Sequence, residues 1–261
     1  MAFKYKRVLL VGATSGIGAA MADKLILEGA KVIAVGRRQE KLDEFVQKHG
    51  AANAAGVRYD VTDRVGLDGF VDGIVKNYPD LDCVFLNSGV QSQVRLSRPS
   101  EVDLNAFHEE ISTNFSRLVD LSIKFLPHLL SKPFPTALIV TGTLLALIPS
   151  VTMPAYCASK AALHAYMCCL RRQHQGSSTK IIEIWPPVVQ TELHDYMGER
   201  GRAFGMPAAV FIEQAWAQLE AGSDHVIVGA AGPEESFKEI VKLRKENFDA
   251  LSDLLLAHFQ L

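Results

Sequence analysis

The sequence predicts an α/β protein, a doubly wound parallel sheet of about seven strands with helices on both faces. Three observations predict it. Short β-branched and leucine runs alternate with helical patterns along nearly the whole chain. The runs are continuously apolar, as in strands buried on both faces, rather than alternating with polar residues. The first run ends in a glycine-rich turn that opens directly into a helix. The 261 residues, 48% hydrophobic and 21% charged, are enough for one full core. No linker, repeat or low-complexity segment divides them, so a single domain is expected.

Arg7 to Val11 is the first strand. It stops at Gly12-Ala13-Thr14-Ser15-Gly16-Ile17-Gly18, and a helix follows from Ala19 to Glu28, ending at Gly29. Glycines at such a turn let the backbone come close to a pyrophosphate, which then sits on the free N–H groups of the helix. Lys31 to Gly36 is the second strand, followed by Arg37 and Arg38. In dinucleotide-binding folds an acidic residue near this point holds the ribose hydroxyls of NAD. Here there is no carboxylate, and two guanidiniums suit a 2′-phosphate by charge and forked geometry. The expected cofactor is therefore NADP(H).

Gln39 to His49 reads as a helix and Gly56 to Tyr59 as the third strand, closed by Asp60-Val61-Thr62-Asp63. Asp60 stands where an adenine amine can be bound, while Thr62 or Asp63 suits a helix cap. A helix from about Val65 to Asn77 leads to the fourth strand, Leu81 to Leu86, which ends in Asn87-Ser88-Gly89. Polar and glycine residues at the end of a central strand are where open sheets bind ligands. After a loop, 90–101, Asp103 to Leu130 reads as one long helix with Asn114 inside it. Asn is a poor helix-interior residue; one that breaks the ladder could hold a water.

Thr136 to Val140 is the fifth strand, ending in Thr141, Gly142 and Thr143. The next helix, about Ala155 to Gln175, carries Tyr156 and Lys160. A phenol and an amine four residues apart lie on one helix face. A nearby ammonium lowers a phenol's pKa, which makes Tyr156 a candidate general acid/base tuned by Lys160. Thr143 and Tyr156, a strand end and the following helix start, can face one crevice. Ile181 to Trp185 is the sixth strand. The irregular stretch 192–207, with His194, Tyr196, Met197, Phe204 and Met206, reads as a lid whose apolar residues favour a lipophilic substrate. Pro207 to Ala221 is a helix, His225 to Gly229 the seventh strand, and Glu234 to Phe259 an amphipathic terminal helix within a helical extension, 232–261. Its stripe of Phe237, Ile240, Val241, Phe248, Leu251 and Leu255 fits core or subunit contact.

Composition excludes several classes. The net charge is −2 with no basic stripe, so nucleic acid and anionic membranes are poor partners. The four cysteines, Cys83, Cys157, Cys168 and Cys169, form no CxxC pair and no Cys/His spacing suits zinc, so no metal site is expected. Residues 1–7 have charges but no apolar signal core, and a cytoplasmic protein with reduced thiols is expected. The uncharged stretch 133–159 is broken by Pro133, Pro135, Gly142, Pro149 and Pro154, which excludes a membrane helix there.

Taken in register, Gly12, Gly16 and Gly18, Asp60, Asn87 and Gly89, Asn114, Tyr156 and Lys160, and Pro186 with Thr191 resemble the short-chain dehydrogenase/reductase family over about residues 6–230. The run Pro-Pro-Val-Val-Gln-Thr-Glu-Leu, with Gly205-Met206-Pro207, resembles the DltE-like oxidoreductase subgroup. The resemblance implies a Rossmann-type sheet of order 3-2-1-4-5-6-7. It implies a cofactor site of Gly12, Thr14, Ser15, Gly16, Ile17, Gly18, Arg37, Arg38, Asp60, Val61, Asn87, Ser88, Gly89, Tyr156, Lys160, Pro186, Val189 and Thr191. It implies that Tyr156 exchanges the proton of a carbonyl or alcohol, that Lys160 lowers its pKa and bonds the nicotinamide ribose, that Thr143 orients the carbonyl, and that Asn114 holds a relay water. It also implies a homodimer or homotetramer joined through helices 103–130 and 155–175. Four residues depart from the family pattern: Val11 replaces the threonine that usually precedes the first glycine, Ser88 a common alanine, Thr143 the usual serine, and Pro187 the glycine after Pro186, where a second proline stiffens the turn. The expected function is hydride transfer between NADPH and a small-molecule carbonyl or alcohol. A cofactor-binding sensor without turnover, or reduction of an imine or activated C=C bond, are the alternatives.

Overall fold

The computed structural model describes residues 3–259. Met1 and Ala2 of the charged N-terminal stretch, and Gln260 and Leu261 of the expected extension, lie outside them. Seven parallel strands form one sheet: β1 (Arg7–Val11), β2 (Lys31–Gly36), β3 (Ala54–Arg58), β4 (Cys83–Leu86), β5 (Thr136–Thr141), β6 (Thr179–Trp185) and β7 (His225–Ile227). Their order is β3-β2-β1-β4-β5-β6-β7, as expected. The order reverses between β1 and β4, whose register pairs Val11 with Leu86, so the glycine turn and the Asn87 loop leave the sheet side by side.

Alternate residues of each strand feed two cores. Val8, Leu10, Val32, Ala34 and Phe85 pack under α1 (Gly16–Leu27), α2 (Gln39–His49) and α8 (Ala208–Glu220). Leu9, Val11, Ile33, Val84 and Leu138 pack under α3 (Leu67–Asn77), α5 (Arg117–Leu130) and α6 (Pro154–Gln173). Burial on both faces explains why the strands lack polar alternation. The last helix, α9 (Glu234–Phe259), is anchored through Phe237 against Leu144, Ala146 and Trp185. Further along it, Ile240, Leu251, Leu254 and Leu255 are exposed, so only the start of the expected stripe is core.

Several boundaries move. The third strand begins at Ala54 rather than Gly56, because it pairs from Val32↔Ala54 onward. The first helix begins at Gly16, inside the glycine turn. The long helix expected over 103–130 is interrupted: α4 (Leu104–Ile111) passes through a π-helical turn, Ser112–Ser116, into α5. The lid contains a 3₁₀ turn, Glu192–Met197, and the short α7 (Glu199–Arg202). Among the described residues no helix is long and apolar enough to cross a membrane.

Candidate active site

The cofactor side is built from the β1–α1 turn. A Cβ placed on Gly18 would lie 2.0 Å from the Gly12 carbonyl oxygen and 2.6 Å from Asn87 Nδ2. Glycine is required there for the helix to start directly over the strand end. Asn87 clamps this turn: its Nδ2 donates to the Gly12 carbonyl (3.1 Å), and its Oδ1 accepts from the Thr141 hydroxyl (2.8 Å). One side chain thus ties the ends of β1, β4 and β5 together. The N-terminus of α1 has no side-chain cap and no acidic residue in its first turn, which leaves its N–H groups and positive dipole end to an anion. Thr191, from the loop after β6, packs over Gly16 at 3.0 Å from where a Cβ would stand. Ser88 Oγ is buried beside this turn with no protein partner. A glycine cradle, an uncapped helix start and an unpartnered hydroxyl fit a dinucleotide's phosphates and ribose.

The two arginines after β2 differ. Arg38 donates to the Thr14 carbonyl (2.9 Å) and pairs with Glu192 of the lid (2.9 Å). Arg37 is mostly exposed, and its nearest acid is Asp60 at 3.9 Å. Asp60 uses its other oxygen in a local turn, accepting from the Thr62 N–H and hydroxyl. Asp63, not Thr62, bonds the helix-start N–H of Gly66 (2.9 Å). Ile17 and Val61 pack against the two cores beneath the cleft. The Val189 side chain is in the core, opposite Met206, which leaves only its backbone to a ligand. Pro186, one residue past β6, takes the Leu144 N–H (3.5 Å).

The four residues expected to carry chemistry converge on the β4 and β5 ends. Tyr156, in the first turn of α6, is 6% exposed, and its phenol faces the Thr143 side chain. Thr143 Oγ1 also accepts the Leu145 N–H (3.2 Å), which fixes the hydroxyl. Lys160, one turn along, donates from Nζ to the Thr141 carbonyl (2.8 Å). Asn114 is wholly buried in the π turn and reads the Val90 backbone twice: Nδ2 donates to its carbonyl and Oδ1 accepts from its N–H, both at 2.8 Å. The side chain therefore pins the β4 loop, and the π turn is where the helical ladder is released. Gly89 is the meeting point. A Cβ there would find Asn114 Oδ1 at 3.3 Å and Lys160 Nζ at 3.8 Å.

The expected acidification of Tyr156 by Lys160 is not what this arrangement produces. Burial pushes the phenol's pKa up from its ordinary 10.0, and the opposing pull comes from the Thr143 hydroxyl. The Lys160 amine lies 5.9 Å from the ring centroid, turned to the Thr141 carbonyl. Burial brings its own pKa down to about 8, with the charge of Glu183 working upward. At neutral pH Tyr156 holds its proton, the form needed to protonate a carbonyl oxygen.

Behind Lys160 lies a cluster that the linear sequence conceals. Glu183 of β6 is fully buried. It accepts from His164 Nδ1 (2.8 Å) and from Trp185 Nε1 (2.7 Å). Burial pulls the His164 imidazolium down, but hydrogen bonds to Cys168 and Glu183 and the Glu183 charge outweigh it, and its pKa rises to about 9. Glu183 is pushed up by burial but held down overall by His164. His225 completes the cluster, its pKa lowered to about 4 by burial. Donor atoms of His164, Glu183 and His225 lie within 4.8 Å of one another, a grouping no sequence spacing announced. Here a proton already joins His164 to Glu183. A Cβ on Gly142 would stand 2.7 Å from Glu183 Oε1, so the pair supports the strand end that carries Thr143. The local signal was present: a lone glutamate within the apolar run Ile-Ile-Glu-Ile-Trp.

The lid is tied back to the sheet. Met206 N–H donates to the Val188 carbonyl (2.8 Å), and Gln190 N–H to the Met206 carbonyl (2.9 Å). Tyr196 donates to Gln91 Oε1 (3.1 Å) and approaches Met153 Sδ (3.5 Å), bridging the β4 loop and the start of α6.

Comparisons with known proteins identify the family and agree with the fold. The family model for short chain dehydrogenase matches residues 6–201. The uncharacterized oxidoreductase DltE of Bacillus subtilis (strain 168) is 36% identical over 187 residues, 72% of this chain and 73% of that one. Among solved structures, a short chain dehydrogenase/reductase from Burkholderia phymatum in complex with NAD superposes with a TM-score of 0.79 at 19% identity, covering 96% of both chains. The closed form of serine dehydrogenase complexed with NADP⁺ gives 0.76 at 23% identity, covering 87% of this chain and 97% of that one. Three strand ends joined by Asn87, a glycine cradle at the sheet's switch point, and a buried Tyr156–Lys160 helix face beside it accompany the family match, which places this chain in the short-chain dehydrogenase family of oxidoreductases.

Proposed function

We propose that the chain is an NADPH-dependent carbonyl reductase, working reversibly on a carbonyl/alcohol pair. The observation that carries this reading is the buried Tyr156 phenol, facing Thr143 with Lys160 one turn along, at the sheet end that also bears the glycine cradle. The bound dinucleotide would supply the hydride from nicotinamide C4. Gly12, Thr14, Ser15, Gly16, Ile17 and Gly18 would hold its phosphates, with Thr191 closing over them. Asp60 and Val61 would meet the adenine, and Asn87, Ser88, Gly89, Pro186 and Val189 would flank the nicotinamide half. Thr143 positions the carbonyl oxygen, Tyr156 gives it the proton, Lys160 holds the ribose and carries the positive charge of the site, and Asn114 keeps the relay path in place. Purified protein with NADPH and a panel of ketones and aldehydes tests this through the loss of nicotinamide absorbance. Tight NADPH binding without turnover of any carbonyl would instead favour a sensor.

NADP(H) is assigned from Arg37 and Arg38 after a strand that ends without a carboxylate, and the NADP⁺ complex of serine dehydrogenase supports it. Arg37, the freer of the two, is the main reader of the 2′-phosphate. Arg37→Ala should weaken NADPH binding roughly tenfold to a hundredfold, the range of a charge-assisted hydrogen bond, and leave NADH binding within about twofold. Equal loss for both cofactors would remove Arg37 from that role.

Because the Lys160 pKa is brought down to about 8, its ammonium is lost as pH rises through that value. Reductase kcat/KM should fall above about pH 8. Lys160→Arg, whose charge does not titrate in this range, should lack that limb whatever its absolute rate. A limb that persists in the arginine variant would assign it to another group.

The chain is proposed to act as one cytoplasmic NADP-binding domain over 1–261, with 232–261 as its helical extension. Exposed Ile123 and Leu130 on α5 support a homodimer or homotetramer through the expected helix faces.

A further inference from the structure

Glu110 has no place in the scheme above. It lies on α4 one turn before Asn114 and is 4% exposed. One carboxylate oxygen accepts from the Ser92 hydroxyl, and the other, Oε1, is buried with no partner. No lysine, arginine or histidine among the described residues forms an ion pair with it. Burial pushes its pKa up, with the Ser92 hydrogen bonds opposing. Its charge is felt at the phenols of Tyr156 and Tyr196 and at the Cys157 thiol. Ser92 of the β4 loop holds it directly, and the neighbouring Gln91 ties that loop to Tyr196 of the lid. Tyr196 in turn is held to Gln91 and Met153.

A buried carboxylate without a cation is costly, and chains keep few of them. The cost is recovered when a ligand brings the missing charge. We propose that Glu110 is a specificity residue that binds the ammonium group of the substrate, so that the enzyme prefers amino alcohols and amino ketones to their neutral counterparts. This rests on the assignment of Tyr156 as the proton-exchanging group. Glu110 lies on the same helical segment as Asn114, and Tyr196, bonded to Gln91 and Met153, links the Ser92 loop to the start of α6 that carries Tyr156. The free Oε1 accepts from the ammonium, while Ser92 holds the other oxygen and sets the carboxylate's orientation. The lid closes over the amine through Tyr196. Ammonium recognition also accounts for the lack of an ion pair to Glu110 among the described residues, since a resident cation would compete.

Calorimetric titration of the NADP⁺-saturated protein tests this without requiring turnover. The probes are 2-amino-1-phenylethanol, its N-acetyl derivative and 1-phenylethanol. The amine should bind at least tenfold more tightly than either neutral compound, the least that a charge-assisted hydrogen bond contributes. Glu110→Gln keeps the side-chain volume and the Ser92 contact, and should abolish the preference. Equal affinity for the three probes, no measurable binding of the amine, or a preference that survives in the glutamine variant would each overturn the proposal. The N-acetyl comparison uses the unaltered chain and stands even if the variant does not fold. An amine preference without oxidation of any probe would leave Glu110 as an ammonium site and count against the reductase reading; turnover without preference would do the reverse.

Discussion

Tyr156→Phe should lower kcat by about 10²- to 10⁴-fold, the contribution of a positioned general acid, with NADPH affinity little changed. The ring is buried and the substitution keeps it, so the packing of the α6 start survives. What disappears is the hydroxyl facing Thr143, a polar group worth about 1 kcal/mol of stability at most. The glycine cradle, Asn87 and Lys160 do not depend on that hydroxyl: Lys160 bonds the Thr141 carbonyl and Asn87 bonds Gly12 and Thr141. Cofactor binding and catalysis should therefore separate cleanly. Steady-state kinetics beside NADPH fluorescence titration reads both. Turnover that persists in the phenylalanine variant would take the proton transfer away from Tyr156, and a parallel loss of NADPH binding would make the phenol a cofactor ligand first.

The second large effect lies behind the site. Glu183→Ala should destabilise the fold by about 3–5 kcal/mol, the cost of breaking a buried pair and leaving its partner unpaired. His164 and the Trp185 N–H would both lose their acceptor. Glu183→Gln should be milder, because its amide can accept from Trp185 and donate to a neutral His164. The pair also sets a pH window. His164 is raised from 6.5 to about 9, so its contribution is complete below about pH 6.5 and is lost as pH rises through about 9. Glu183 is depressed from 4.5, so its contribution is complete above that value and is lost as pH falls through the lower folded one. Between them, stability from the pair is greatest from about pH 4.5 to 6.5 and declines toward pH 9. Thermal melts across pH 6 to 9 should show this decline in the native chain and its absence in Glu183→Gln. An alanine variant as stable as the native chain would mean that the pair contributes nothing net.

Local signals carried the sheet and the cofactor turn. A strand that is apolar on both faces, a glycine where a Cβ would strike the Gly12 carbonyl, and a phenol four residues before an amine are all written in adjacent positions. What the linear reading missed comes from residues that meet across the fold. The interruption of the helix at Ser112–Ser116 accompanies the pairing of Asn114 with the Val90 backbone, 24 residues away. The pKa of Tyr156 went the wrong way in a reading of helix spacing, because spacing places Lys160 one turn off but says nothing of burial or of the Thr141 carbonyl that takes its ammonium. His164, Glu183 and His225 come from α6, β6 and β7 and share no sequence window. Glu110 stands beside Glu109 in an ordinary helical stretch, and only tertiary packing leaves one of the two buried.

The central claim is that the Tyr156 phenol reaches a substrate oxygen held beside the bound cofactor's reactive end. The most direct measurement is a crystal structure of the chain with NADP⁺ and an unreactive ketone analogue. The ketone oxygen should lie about 2.6–3.2 Å from the Tyr156 oxygen, with the Thr143 hydroxyl as its second donor and the nicotinamide beside Gly89. A nicotinamide bound elsewhere, or a ketone oxygen out of reach of Tyr156 with the lid closed, would contradict the account.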